Sequence, residues 1–209
     1  DFFFAGWNYG MKVGGEVTPE TLKPFGINVY ELTESCIHIM TKKKVSMDDM
    51  YNDLLNLGRI FQIENRAKKL VDAYRSDLNK FTQKLKTTSA KKVFVYDSGE
   101  DTPFTAGRYA MPTALIEAAG GINIMDDFQK SWGTVTWEEV IDRNPEVVVI
   151  VNYGKVTAEQ KRNFMMSNPA FANIDAVKNN RFVTLEYVEA TPGPRNIKAI
   201  KKLAKALRN

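Results

Sequence analysis

Large aromatic residues and arginines follow the segments that the sequence predicts as strands. These segments are apolar runs of strand length, such as Phe2–Ala5, Val93–Tyr96 and Val147–Val151. In open α/β sheets, ligands bind beyond the carboxyl ends of the strands. Aromatic faces supply contact area and guanidinium groups pair with carboxylate or catecholate oxygens, so the pattern predicts a site for a bulky, partly aromatic, anionic ligand. The candidate ligand-binding residues are Trp7, Tyr9, Phe104, Arg108, Tyr109, Trp132, Tyr153 and Arg195.

Each of these candidates also has a purely structural interpretation. A tryptophan in a loop can cover the core instead of a ligand. Trp7 and Trp132 are the stronger candidates because both follow strand ends, whereas Trp137 lies in a predicted helix start and is expected to pack in the core. Tyr109 could belong to the core face of the next helix. Arg195 follows a Pro-Gly-Pro segment that could simply orient a helix.

The sequence offers little for direct metal binding or for catalysis. It has a single histidine, His38, in an apolar context, so a site of three histidines cannot be built. A single cysteine, Cys36, excludes an intramolecular disulfide. No dinucleotide, P-loop or nucleophile-elbow motif is present. Ser98 is the candidate nucleophile for a hydrolase and would need the distant His38, so we predict no enzymatic activity.

Composition also bears on the partners. The 209 residues carry a formal net charge of +4, from 29 basic and 25 acidic residues spread along predicted helices. This distribution is typical of solvated helix faces and gives no support for nucleic-acid binding. No apolar run approaches the roughly 20 residues of a membrane span.

The predicted elements alternate between strands and helices, which is typical of a parallel sheet covered on both faces. The longest helical pattern covers Glu64–Lys86, with apolar residues at spacings of three and four. A Thr-Thr-Ser segment follows it and marks the best domain boundary. We therefore divide the chain into residues 1–45, the connecting helices of residues 46–88, and a second α/β unit of residues 89–209.

Four blocks of sequence, in this order, resemble one known family. The segments are FAGWNYG with GGEVTPETLKPFGINVYELTESC, then LGRIFQIENRAKKLVDAYRSDL, then VFVYDSGEDTPFTAGRYAMPTALIEAAGGINI, and finally KSWGTVTWEEVIDRNPEVVVIVNYG. They are similar to the class III substrate-binding proteins of ABC transporters, the receptors for ferric siderophores, haem and cobalamin. The resemblance implies an α/β fold of two Rossmann-like lobes joined by a long helix, with only a small hinge closure on binding.

An internal repeat fits this resemblance. DFFFAGWNYG at the start has the same plan as PEVVVIVNYG at residues 145–154, where a complete helix, turn, strand and loop unit is present. The first copy begins at the turn. The resemblance therefore implies that the N-terminal lobe is incomplete, that upstream sequence has been removed, and that residues 89–209 form the C-terminal lobe.

The resemblance also implies a function. It predicts an extracytoplasmic receptor, either a lipid-anchored cell-surface protein or a free periplasmic one. The receptor would capture an iron complex, a ferric siderophore, as a monomer and deliver it to an ABC permease without chemistry on the ligand. Haem or cobalamin is the alternative ligand, and a haem iron could use a tyrosine or His38 as an axial ligand. The family's permease-docking glutamate corresponds to Glu138, with Glu139 as the second choice.

Overall fold

The computed structural model describes residues 1–6, 15–38, 40–83 and 89–208. The strands are β1 (Phe2–Ala5), β2 (Asn28–Glu31), β3 (Lys91–Tyr96), β4 (Phe104–Ala106), β5 (Gly121–Asn123), β6 (Trp132–Thr134), β7 (Val147–Asn152) and β8 (Phe182–Glu186). The α-helices are α1 (Pro19–Leu22), α2 (Met47–Ile60), α3 (Glu64–Thr82), α4 (Met111–Ala118), α5 (Trp137–Arg143), α6 (Ala158–Ser167), α7 (Asp175–Lys178), α8 (Tyr187–Ala190) and α9 (Asn196–Arg208).

The second half of the chain is organised around a parallel sheet with the strand order β5-β3-β7-β8. Its central strand β7 is fully buried from Val147 to Val151, since both of its faces are covered. Because side chains alternate along a strand, Val93 and Val95 point into one core and Phe94 and Tyr96 into the other. The prediction of a mixed α/β fold with a parallel, doubly covered sheet is confirmed.

The two faces of this sheet are covered by different elements. On one face, α4 and α9 supply an aliphatic layer that includes Leu115, Ile200 and Leu203. The other face is covered by α5, α6 and the segment before α7. Trp137, the first residue of α5, is 8% exposed there, and its ring centroid lies 4.6 Å from that of Phe171. The predicted packing role of Trp137 is therefore confirmed.

The first part of the chain contains a smaller sheet and a helical hairpin. β1 and β2 pair in parallel, with Phe3 opposite Val29. The sequence predicts a helix through Leu57 that breaks near Gly58–Ile63, and this break is confirmed: α2 continues to Ile60 and α3 begins at Glu64. A Cβ at Gly58 would stand 2.5 Å from the Cβ of Ala67, so the glycine allows α2 and α3 to pack closely. The long helix α3 ends at Thr82 rather than Lys86, and residues 84–88 lie outside the described part.

The sequence predicts loops at residues 97–108, around Trp132 and after Leu185, and the structure has a short element in each of them. The segment of residues 97–108 contains β4, the loop around Trp132 contains β6, and the two pair in antiparallel fashion with Phe104 opposite Thr134. α8 follows β8 directly. Strands of three residues and a helix of four are too short to show a period in the sequence, which explains why they were missed.

A buried carboxyl group joins the N-terminal region to the C-terminal α/β unit. Glu34 is 2% exposed, and the backbone N–H of Met111 donates a hydrogen bond to its Oε1. Met111 opens α4, whose N-cap residue Ala110 makes no side-chain capping bond. Glu34 thus supplies the acceptor that the first turn of α4 lacks.

Stability should depend on pH through this contact. Burial raises the pKa of Glu34 from its ordinary 4.5 to about 8, and burial also raises the pKa of Asp53 nearby. Between pH 4.5 and about 8, Glu34 keeps its proton in the folded protein but loses it in the unfolded chain. The folded protein therefore binds more protons, and the free energy of unfolding falls as the pH rises from 5 to 8. Glu34→Gln keeps an acceptor oxygen but cannot ionise, and we expect it to flatten this slope in urea titrations at several pH values. A variant that retains the full slope would contradict this assignment.

Candidate functional site

An aromatic cavity lies at the carboxyl edge of the main sheet, where β3, β7 and β8 end side by side. Its volume is about 140 Å³. Because parallel strands all end at the same edge, the loops that follow them meet there. The described residues that line it are Asp97, Phe104, Trp132, Val151, Tyr153, Tyr187, Ala190 and Thr191.

One wall of the cavity is a stacked pair of rings on the short β4–β6 ribbon. The ring centroids of Phe104 and Trp132 are 6.1 Å apart, with an angle of 11° between the planes. Phe104 is opposite Thr134, and Trp132 lies two residues before Thr134 on the same strand, so the two aromatic residues are diagonal neighbours on the antiparallel pair. Aromatic side chains are long enough to make contact across this diagonal. A Cβ at Gly133 would stand 2.8 Å from the ring of Phe128, so the absence of a side chain there lets the ribbon pack on that ring.

A second wall of the cavity is another aromatic pair, at the ends of β7 and β8. The rings of Tyr153 and Tyr187 stack with their centroids 4.6 Å apart and an angle of 26°. The residues that precede them, Asn152 and Glu186, are direct partners in the sheet, and the amide of Asn152 donates a hydrogen bond of 3.0 Å to Glu186. The register of β7 and β8 therefore brings the two tyrosines together.

A buried lysine holds the β7 end of this wall. Lys161, on α6, is 2% exposed, and its ammonium group donates to the carbonyl oxygens of Val151 at 2.7 Å and Tyr153 at 3.2 Å. The pairing of β7 with β3 ends at Ile150, one residue before Val151. Lys161 therefore supplies a hydrogen-bond donor to the β7 backbone just beyond the end of that strand pairing. Burial lowers the pKa of Lys161, and the negative charge of Asp97 opposes this shift.

Asp97, the residue that follows β3, also lines the cavity. Its backbone N–H donates to the carbonyl oxygen of Phe104 at 3.0 Å, and the N–H of Phe104 donates to the carbonyl of Ser98 at 2.7 Å. These bonds hold the backbone of Asp97 against that of Phe104. The hydroxyl of Ser98 donates to Asp97 Oδ2 at 3.0 Å. Burial raises the pKa of Asp97, while the Ser98 hydrogen bond and the charge of Lys161 oppose that rise.

The structure brings together Phe104, Trp132 and Tyr153 from the predicted set. Trp7 and Tyr9 lie outside the described residues. Ligand contact by each of these five residues stays a prediction, and for three of them it now has a common location.

Three other candidates do not line this cavity. Arg108 faces a separate pocket with Lys43, Lys44 and Asp126, and its Nε donates to the carbonyl oxygen of Asp126 at 2.7 Å. Tyr109 is half-buried in the loop before α4, and Arg195 is exposed in the loop before α9. Ligand contact by these residues stays a prediction and would have to be made outside the aromatic cavity.

Sequence reasoning missed Tyr187, Thr191, Asp97 and Lys161. Tyr187 and Asp97 each come directly after a strand, so the rule that selected Tyr153 could have found both. Lys161 gave no signal, because a lysine on an amphipathic helix is normally exposed.

The two candidate docking glutamates differ in their surroundings. α5 begins at the carboxyl edge of the sheet, the same edge as the cavity. Trp137, in its first turn, donates to the carbonyl oxygen of Glu100 in the loop after β3, and the carbonyl oxygen of Arg143, at its end, accepts from Lys92 at the start of β3. Glu138 is exposed in its first turn. Glu139 is half-buried and binds Arg143 at 2.5 Å. Within the described ranges, an ion pair engages Glu139 but not Glu138.

A family model described as "Periplasmic binding protein" matches residues 20–188 of the chain. The chain belongs to this family. Members of the family bind solutes, and ABC transporter substrate-binding proteins deliver them to a permease.

Three proteins illustrate the similarity. The ABC transporter substrate-binding lipoprotein YvrC of Bacillus subtilis is 26% identical over 184 residues, which are 86% of this chain and 56% of YvrC. A periplasmic binding protein from Veillonella parvula has 28% identity and a TM-score of 0.87, covering 99% of this chain and 70% of that one. A possible iron-binding periplasmic solute-binding protein from Staphylococcus epidermidis has 25% identity and a TM-score of 0.77, covering 100% and 76%. The chain thus spans little more than half the length of YvrC.

Three further observations concern this periplasmic binding protein. In the described residues, no group of three or more histidine, cysteine or acidic side chains is placed to hold a metal ion. None of the described helices is both long enough and apolar enough to cross a bilayer. The side chain of His38, the partner that a Ser98 hydrolase would need, lies outside the described part.

Proposed function

We propose that this periplasmic binding protein works outside the cytoplasmic membrane, captures an iron complex and delivers it to an ABC permease. A ferric siderophore is the first candidate, with haem and cobalamin as alternatives. The protein would act by recognition and docking, without chemistry on the ligand.

The observation that carries this proposal is the pair of stacked aromatic walls around one cavity at the carboxyl edge of the sheet. Phe104 with Trp132 and Tyr153 with Tyr187 offer flat aromatic faces to the same cavity. Tyr153 is 44% exposed and leaves much of its surface for a ligand. Bulky chelates with flat or aromatic parts match such walls. The name of the Staphylococcus epidermidis relative, which describes possible iron binding, supports the same class of ligand.

Equilibrium titration of the purified protein with a panel of ligands tests this proposal. The panel contains ferric trihydroxamates, ferric triscatecholates, haemin and cobalamin, and binding is followed by tryptophan fluorescence. We expect saturable quenching at sub-micromolar concentration by one class, because Trp132 lines the cavity. Absence of saturable binding by every member would refute the proposed function.

Docking to the permease should depend on Glu138 and not on the ligand cavity. Exposed at the cavity edge, Glu138 can meet an arginine of the permease, whereas Glu139 is bound to Arg143. We expect Glu138→Arg to reduce ligand uptake in reconstituted transporter vesicles by about tenfold or more, since it replaces an ion pair with a like-charge contact. Ligand affinity in solution should not change.

The control for this experiment is Asp142→Arg, which reverses an exposed acidic charge further along the same helix. Uptake by this variant should equal that of the wild type. Equal uptake by the wild type and Glu138→Arg would refute the docking role.

A further inference from the structure

The charge around the aromatic cavity has one sign. Of the described residues that line it, Asp97 alone has an ionisable carboxyl group, and no lysine or arginine lines it. Asp97 is 8% exposed, so its carboxylate lies in a poorly solvated region, where charge interactions are stronger than in water. A ligand that enters this cavity therefore meets a carboxylate in its wall.

The nearby cation cannot take the role of an anion receptor. The ammonium of Lys161 is buried and already donates to the carbonyl oxygens of Val151 and Tyr153. Arg108 faces a different pocket, and Arg195 does not line the cavity. An anionic group placed here would lose its hydration and face Asp97 without a described basic partner.

Hydrogen bonds hold the backbone at Asp97 in place, and one hydrogen bond engages its carboxylate. The hydrogen bonds of Asp97 and Ser98 to Phe104 lock the end of β3 to the start of β4. The Ser98 hydroxyl occupies Oδ2 with a single hydrogen bond, and a carboxylate can accept several. A donor group of a ligand thus has acceptor capacity available beside the Phe104–Trp132 wall.

We propose that Asp97 determines ligand specificity by accepting a hydrogen bond from a donor group of the ligand, an ammonium or an amide N–H. This inference rests on the proposed function, because it assumes that the ligand occupies the aromatic cavity. It narrows the ligand class to a neutral or cationic chelate with donor groups at its edge. A trihydroxamate chelate with a free amine has that chemistry, whereas a triscatecholate carries a high negative charge and haem carries two propionates.

A matched pair of ligands isolates the contribution of the positive charge on the donor group, because acetylation of an amine leaves a neutral N–H donor. One ligand is a ferric trihydroxamate with a free primary amine, and the other is the same chelate acetylated at that amine. Dissociation constants of both are measured by calorimetry for the wild type and for Asp97→Asn. Asp101→Asn serves as the matched control, because Asp101 is an exposed residue of the same loop that does not line the cavity. Triscatecholate and haemin are titrated in parallel.

We expect the wild type to bind the amine chelate about tenfold more tightly than the acetylated one, since a hydrogen bond between charged groups is stronger than a neutral one. Asp97→Asn should remove this preference, and Asp101→Asn should keep it. Tighter binding of triscatecholate or haemin, or a preference that survives Asp97→Asn, would overturn the specificity inference and leave the proposed function standing. Absence of binding by every ligand would overturn both.

Discussion

Trp132→Ala is expected to weaken ligand binding by about 2 kcal/mol, which is roughly 30-fold in Kd. The indole lines the cavity and stacks on Phe104, so its removal takes away one wall and leaves the remaining ring without its partner. The side chain is partly buried and packs against the aliphatic core, so the substitution should also lower the folding stability. Calorimetric titration measures the affinity, and urea unfolding measures the stability of the same samples.

A matched control separates this effect from a general loss of aromatic surface. Phe61 is 56% exposed at the end of α2 and does not line the cavity. Phe61→Ala should bind the ligand as tightly as the wild type. If Trp132→Ala also binds as tightly as the wild type, Trp132 does not belong to the site.

Lys161→Met should have the largest effect on folding. Methionine keeps most of the volume of the lysine stem but supplies no donor, so the carbonyl oxygens of Val151 and Tyr153 lose their charged partner. We expect a loss of about 3 kcal/mol in the free energy of unfolding, because breaking a buried charged interaction leaves unpaired polar groups. Ligand affinity should fall as well, since the lysine holds the Tyr153 end of the second wall.

The control for Lys161 is an exposed lysine close to it in the chain. Lys155, in the loop between β7 and α6, is exposed, and Lys155→Met should change neither the stability nor the affinity. Urea unfolding followed by circular dichroism gives the stability. Equal stability of Lys161→Met and the wild type would show that the buried ammonium contributes nothing to the fold.

Much of the fold could be predicted because the central strand of its main sheet is uniformly apolar over five residues. The run Val147–Val151 has no polar residue on either face, and such a run is typical of a central parallel strand. The break between α2 and α3 could also be predicted, and it lies within the expected range of Gly58–Ile63, but the close packing of Gly58 on Ala67 could not. Local propensity could not reveal that contact.

The site could be predicted only where it follows directly from strand ends. Tyr153 and Trp132 were found because large aromatics after predicted strands are visible in the sequence. The sign of the charge in the cavity could not be predicted, because it depends on which charged side chains line the cavity. Asp97 and Arg108 both belong to the segment that follows β3 in the sequence, yet only Asp97 lines the cavity. The strand β4 lies between them in the chain and pairs with β6, so the two residues lie at opposite ends of β4.

A crystal structure of the protein with the iron chelate that binds best would test the central claim most directly. Anomalous scattering from iron locates the metal without any assumption about the rest of the ligand. We predict an iron peak at the mouth of the cavity, between the Phe104–Trp132 pair and the Tyr153–Tyr187 pair. A peak beside Arg108, or anywhere else away from these two pairs, would contradict the account.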